Sequence, residues 1–233
     1  MKAIPKTDEP ERYTAVSFSG SPFVELKSCK YFDVRMMYPV LGMKHAEERC
    51  FVRAEVFDML KSAAKAVPEG YRLRIWDAWR PFALQKELYL EYSEDIIERF
   101  GLKDCSKAKQ EAFVRKFVSD PIEDAVVPPV HTTGGAVDVT LIDEKGVELD
   151  MGTGFDAFTE LTDTASFEGK KNRTVRDNRR LLYSVMTEAG FTNLPSEWWH
   201  YDYGDRFWAY YNRKPALYEG IFTLEELLSG STK

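Results

Sequence analysis

Pro128-Pro-Val-His-Thr-Thr-Gly-Gly-Ala-Val-Asp-Val-Thr-Leu-Ile-Asp-Glu-Lys-Gly-Val-Glu-Leu149 is the stretch that decides the fold class of this chain. Ala136–Ile142 is apolar apart from Asp138 and reads as a strand. Asp143-Glu-Lys-Gly146 is a turn, and Val147–Leu149 returns as a second strand. A parallel crossover needs a dozen or more residues, so a link this short makes the pair antiparallel. The link around residue 204 is equally short; it joins expected strands at Trp198–Tyr201 and Phe207–Tyr211.

Helical patterns surround these strands. In Ala46–Val67, Val52, Val56, Met59, Leu60 and Ala63 recur at helical spacing until Pro68 and Gly70 stop the run. Arg72–Asp77 alternates, with Leu73 and Ile75 on one face, and reads as a strand. Pro81 suits the start of a helix over Phe82–Tyr92, and another helix follows Ser106. Thr174–Ala189 carries a stripe of Leu181, Leu182, Val185 and Met186 and ends before Gly190. Thr223-Leu-Glu-Glu226 is a capping box for a last short helix. Residues 1–45 form an irregular lead-in broken by Pro5, Pro10, Pro22 and Pro39, and residues 119–135 and 150–173 are loops. The irregular alternation predicts an α+β fold, with a largely antiparallel central sheet flanked by helices in one domain over residues 1–233.

Composition bounds the function. Of 233 residues, 44% are hydrophobic and 30% charged, as in a folded globular domain. Lys and Arg number 32 against 38 Asp and Glu, a net charge of −6 that argues against gripping nucleic acid or anionic lipid through bulk charge. No apolar run approaches the roughly 20 residues of a membrane span. Met1–Glu11 lacks the apolar core of a secretory signal, so a cytoplasmic location is expected. Cys29, Cys50 and Cys105 form no C-x-x-C, which disfavours a thiolate zinc site; all three are expected as small core hydrophobes.

Three histidines remain to carry chemistry. His45 lies among charged residues and is expected on the surface. His131 precedes Gly134-Gly135, and Asp138 follows inside the apolar strand. A buried carboxylate needs a partner. Glycine freedom at the turn would let His131 and Asp138 face one point. His200 stands in Pro195-Ser-Glu-Trp-Trp-His-Tyr201, three residues after Glu197. Two His and one Asp would make an open zinc site with a fourth position for water, and Glu197 would then be a general base. Spacing alone leaves a second reading open, in which these groups join a structural salt bridge. Arg80 ends the Arg72–Asp77 strand region, where it could stabilise an oxyanion or simply pair with Asp77.

Taken together, Asp77-Ala-Trp-Arg-Pro81, His131 with Asp138, Met151-Gly-Thr-Gly-Phe-Asp156 and Glu197-Trp-Trp-His200 resemble the D-alanyl-D-alanine dipeptidases of the vancomycin-resistance type. These are zinc peptidases related to D,D-carboxypeptidases and to the hedgehog-like zinc fold. The resemblance spans roughly residues 70 to 203. It implies hydrolysis of D-Ala-D-Ala to free D-alanine, with one zinc ion on His131, Asp138 and His200, Glu197 as base and Arg80 as transition-state stabiliser. It also implies that Asp156 binds the substrate ammonium group. The family usually has Tyr where Trp79 stands and Ser where Pro129 stands, and Tyr31–His45 follows its pattern poorly. Two alternatives stand beside this reading: a D,D- or L,D-carboxypeptidase acting on longer peptidoglycan peptides, and a non-catalytic zinc- or peptide-binding relative. Oligomeric state is not indicated.

Overall fold

The computed structural model describes residues 1–124, 127–169 and 171–230. The N-terminal part holds Phe23–Leu26 (β1), Phe32–Val34 (β2), the short helix Met37–Val40 (α1), Cys50–Arg53 (β3) and Ala54–Ala66 (α2). Tyr71–Asp77 (β4), Phe82–Arg99 (α3), Lys107–Val114 (α4) and Ala136–Asp143 (β5) follow. The C-terminal part adds Arg173–Glu188 (α5), Thr192–Asn193 (β6), His200–Asp202 (β7), Arg206–Asn212 (α6) and Leu224–Gly230 (α7).

The main sheet runs β2-β4-β5-β7-β6. Only β2 and β4 are parallel; the other neighbours are antiparallel. β1 and β3 form a separate antiparallel pair. The fold is therefore α+β with a largely antiparallel sheet.

Strand β5 is buried on both faces, and its alternation sorts two kinds of chemistry. Val137, Val139 and Leu141 join Leu73 and Ile75 in the main core, under Val56, Leu60 and Ala63 of α2 and Leu182, Val185 and Met186 of α5. Leu60, Leu73, Ile75 and Leu182 are wholly shielded from solvent. Cutting any of them to alanine would cost about 2–5 kcal/mol. Successive strand side chains point to opposite faces, so Asp138 faces away from this core. Asp138 is directly paired with Asp77 of β4 on one side and with His200 of β7 on the other. Direct cross-strand partners share a face, which sets three polar side chains in a row. A register shift between Ile75 and Asp77 marks a bulge at the end of β4, a device that re-aims a side chain.

The loop before β5 ends in a 3-10 turn, Val130–Thr133, closed by Gly134 at φ +72°. A Cβ at Gly134 would strike the Phe23 ring, and one at Gly135 would strike the Tyr203 carbonyl. Both positions therefore need glycine.

Several sequence expectations are corrected. The helix expected from Ala46 begins at Ala54, because Cys50–Arg53 is drawn into a strand by pairing with β1. Val52 kept the helical spacing by coincidence. The expected strand Phe207–Tyr211 is helix α6: the Asp205 carboxylate accepts from the Phe207 and Trp208 N–H groups and starts a helix there. Val147–Leu149 returns antiparallel but makes only a bridge, Ile142 with Glu148. The lead-in is less irregular than expected, since β1, β2 and α1 find their partners in later segments. Helix α3 continues to Arg99, past the expected Tyr92. Of the cysteines only Cys50 is buried in the core; Cys29 is exposed and Cys105 partly so. His45 lies at the surface beside Glu87. The capping box forms as read, with Thr223 Oγ1 accepting from Glu226 N–H at 3.2 Å and Glu226 Oε2 accepting from Thr223 N–H at 3.1 Å. No helix among the described residues is long and apolar enough to cross a membrane.

Candidate active site

His131, Asp138 and His200 meet on the sheet face opposite the α2–α5 core, all three buried. His131 Nε2 lies 3.2 Å from His200 Nδ1. Asp138 Oδ1 lies 3.1 Å from His200 Nδ1 and 3.6 Å from His131 Nε2. Ligands of a tetrahedral zinc ion at about 2.0–2.1 Å stand about 3.3 Å apart, so the triangle has the right size for zinc.

The outer ring nitrogens fix which atoms face inward. His131 Nδ1 is 2.8 Å from the Ala78 carbonyl oxygen, an atom that can only accept. Nδ1 therefore carries the hydrogen, and Nε2 presents a lone pair to the site. His200 Nε2 is 2.7 Å from Asp202 Oδ1, which leaves Nδ1 facing Asp138. Histidines that bind metal characteristically donate their other N–H to a carbonyl or carboxylate in this way. Burial, aided by the Arg80 charge, holds His131 well below the usual histidine range, which keeps its lone pair available. The donor set of two nitrogens and one carboxylate, without thiolates, fits a zinc ion that keeps a position open.

Arg80 is buried and held from several sides. Its Nε donates to Asp77 Oδ2 at 2.9 Å, one terminal nitrogen to Gln85 Oε1 at 2.9 Å and the other to the Tyr38 hydroxyl at 3.0 Å. The same nitrogen that meets Tyr38 comes within 3.7 Å of Asp138 Oδ2. The pairing of Arg80 with Asp77 forms as read, and it holds the guanidinium at the edge of the His131–Asp138–His200 triangle.

Glu197 stands on the other side, its Oε2 3.8 Å from His200 Nδ1. Burial pushes its carboxyl up to about 8, with the His200 charge opposing. Asp156 sits at φ +50°, an uncommon conformation for a residue other than glycine. Its Oδ2 accepts from the Tyr38 hydroxyl at 2.9 Å and the Tyr92 hydroxyl at 2.8 Å. Burial pushes this carboxyl up to about 6, with the Asp138 charge adding to the rise and Arg80 and the two hydroxyls opposing it. All six residues singled out from sequence line one cleft of about 50 Å³.

The D-ala-D-ala dipeptidase family profile matches residues 39–218, more than half of the chain and every residue that lines this cleft except Tyr38. The chain belongs to the D-Ala-D-Ala dipeptidase family. It is 30% identical to the D-alanyl-D-alanine dipeptidase of Escherichia coli over 159 residues, covering 68% of this chain and 69% of the relative. It is 28% identical to the Synechocystis D-alanyl-D-alanine dipeptidase over 179 residues, covering 70% and 72%. Among solved structures, VanYB in complex with D-alanine-D-alanine aligns with a TM-score of 0.43 at 17% identity, over 88% of this chain and 93% of that one.

The departures noted from the family now have locations. Trp79 is wholly buried, its Nε1 donating to the Ile221 carbonyl at 2.8 Å, and packs edge-on against Phe51 outside the cleft. Pro129 lines the cleft and offers no donor. The poorly matching segment Tyr31–His45 supplies Tyr38, which touches both Arg80 and Asp156.

Sequence reasoning missed Tyr38, Gln85, Tyr92 and Asp202. Asp202 had a signal: it lies two residues from His200 in a short strand, hence on the same face. Gln85 and Tyr92 sit at ordinary helical positions of α3, and Tyr38 in a one-turn helix. Nothing local in the sequence distinguishes them from surface or core residues.

Proposed function

We propose that this chain hydrolyses D-Ala-D-Ala to two molecules of D-alanine, with zinc held by His131, Asp138 and His200. The observation that carries the reading is the triangle of inward donor atoms, flanked within one cleft by Glu197, Arg80 and Asp156. Zinc at such a site supplies Lewis acidity, which makes a carbonyl more electrophilic and a water more acidic near neutral pH. Glu197 takes a proton from the attacking water and passes it to the leaving amine as the C–N bond breaks and the C–O bond forms. A carboxyl raised toward neutrality is matched to that exchange. Arg80, immobilised by Asp77, Gln85 and Tyr38, donates to the oxyanion that develops on the carbonyl oxygen. Asp156 pairs with the free ammonium of the dipeptide.

We read residues 1–233 as one dipeptidase domain. We place it in the cytoplasm, where three free cysteines suit a reducing environment.

Glu197→Gln tests the division of labour. The variant should retain one zinc per chain yet lose at least ~10²-fold in kcat. Normal turnover would remove Glu197 from the mechanism, and loss of zinc would make it a ligand or a structural residue.

A further inference from the structure

The catalytic cleft opens past Phe117, Val118, Ser119, Leu194, Glu197 and Phe207 into an outer cavity of about 940 Å³. Arg206 lines that outer cavity, half-buried at the start of α6. Its Nε donates to the Pro128 carbonyl at 3.1 Å, and its guanidinium lies 4.3 Å from the centre of the Phe207 ring. Among the described residues, Arg206 forms no other hydrogen bond and no ion pair. Its neighbour Asp205 uses one oxygen to accept the Phe207 and Trp208 N–H groups. Burial pushes the guanidinium below its ordinary range, with Asp205 and Asp202 opposing. A desolvated cation with free donors at the mouth of a site is matched to an anionic ligand.

The dipeptide brings such an anion. The inner cleft is lined by the carboxyl groups of Asp138, Asp156 and Glu197, which offer acceptors to an ammonium and few donors to a carboxylate. Tyr38 and Tyr92 are committed to Asp156, and the N–H groups that Arg80 keeps beyond Asp77, Gln85 and Tyr38 are taken by the scissile carbonyl. With the ammonium at Asp156, the C-terminal end points outward. The Phe207 ring lies 6.4 Å from the His200 ring, and the Arg206 guanidinium stands against Phe207. The carboxylate of a dipeptide lies one residue, about 3.5 Å, beyond the scissile carbonyl. Ser119 offers a hydroxyl at the same rim, but a guanidinium forms the stronger, two-pronged pair with a carboxylate.

We infer that Arg206 anchors the C-terminal carboxylate of the substrate at the mouth of the cleft and so sets the preference for a free dipeptide acid. This assignment rests on the dipeptidase reading above. The test compares D-Ala-D-Ala with D-alanyl-D-alaninamide on the zinc-loaded enzyme, as wild type, Arg206→Gln and Arg206→Lys. Wild type should favour the acid by about 10- to 100-fold in kcat/KM, the range of a hydrogen-bonded charge. Arg206→Gln should collapse that ratio toward one, mainly through a higher KM for the acid, with zinc content unchanged. Arg206→Lys should keep part of the preference, because the charge survives without the planar fork. A ratio that stays at the wild-type value in both variants would overturn the assignment. So would an equal fall for acid and amide, which would make Arg206 a structural support for the Pro128 segment. Failure of the dipeptidase reading looks different: wild-type enzyme with a full complement of zinc would turn over neither compound, and the assignment would fall with it.

Discussion

Asp138 and His200 are register partners on neighbouring antiparallel strands, with Asp138 Oδ1 and His200 Nδ1 3.1 Å apart. Strand pairing therefore brings two of the three proposed zinc ligands together, and the glycine-closed turn at Val130–Thr133 delivers the third, His131. The site is built on the sheet itself, opposite the face that α2 and α5 bury. Its geometry is consequently tied to the stability of the whole domain.

The first prediction concerns Asp202, which accepts from His200 Nε2 at 2.7 Å and has no exposure to solvent. Asp202→Asn keeps size and an acceptor oxygen but removes the charge. Zinc affinity should weaken by about 10- to 100-fold. Competition with a chelator of known affinity reads this directly. Unaltered affinity would show that the tautomer of His200 is fixed without Asp202.

Arg80→Lys keeps the positive charge and loses the fork that reaches Asp77, Gln85 and Tyr38 together. If Arg80 acts on the developing oxyanion, kcat should drop by about 10²-fold while zinc content is unchanged. Wild-type kcat in the lysine variant would leave Arg80 with only its structural pairing.

Asp156 should distinguish free from N-acetylated D-Ala-D-Ala. Acetylation removes the ammonium and leaves a buried carboxylate without its partner, a loss of about 2–5 kcal/mol, or roughly 30-fold and upward in kcat/KM. Asp156→Ala should shrink that discrimination. The carboxyl sits near 6, so the ionised form that binds ammonium is depleted as pH falls through that value, and KM for the free dipeptide should rise there. Tyr92→Phe removes a hydrogen bond that favours the ionised form, so this rise should begin at higher pH. Equal turnover of free and acetylated dipeptides by wild type would refute the role of Asp156.

Much of this site was legible in the sequence because its proposed ligands break a local pattern. An acid amid Ala136–Ile142 demands a partner, and the two glycines after His131 announce a tight approach. The α+β class followed from the irregular alternation of helical and strand patterns, although the two short links that suggested antiparallel pairing lead to a bridge at Val147–Leu149 and to helix α6. What stayed hidden depends on contacts across long separations. Tyr38 reaches Asp156 over 118 positions, and Tyr92 over 64, with no sequence mark of the meeting. β3 was lost inside an apparent helix because its partner β1 lies in a segment without clear periodicity. α6 was mistaken for a strand because its aromatic run has strand character, while the Asp205 cap that decides the matter was overlooked.

The most direct measurement is release of D-alanine by the purified protein, with D-Ala-D-Ala, L-Ala-L-Ala and a pentapeptide ending in D-Ala-D-Ala as parallel substrates. Each is assayed with zinc, after chelation, and after zinc is restored. The account predicts zinc-dependent turnover of D-Ala-D-Ala, lost on chelation and regained with zinc, and little turnover of the other two. Turnover that survives complete removal of zinc, or a pentapeptide cleaved faster than the dipeptide, would contradict it.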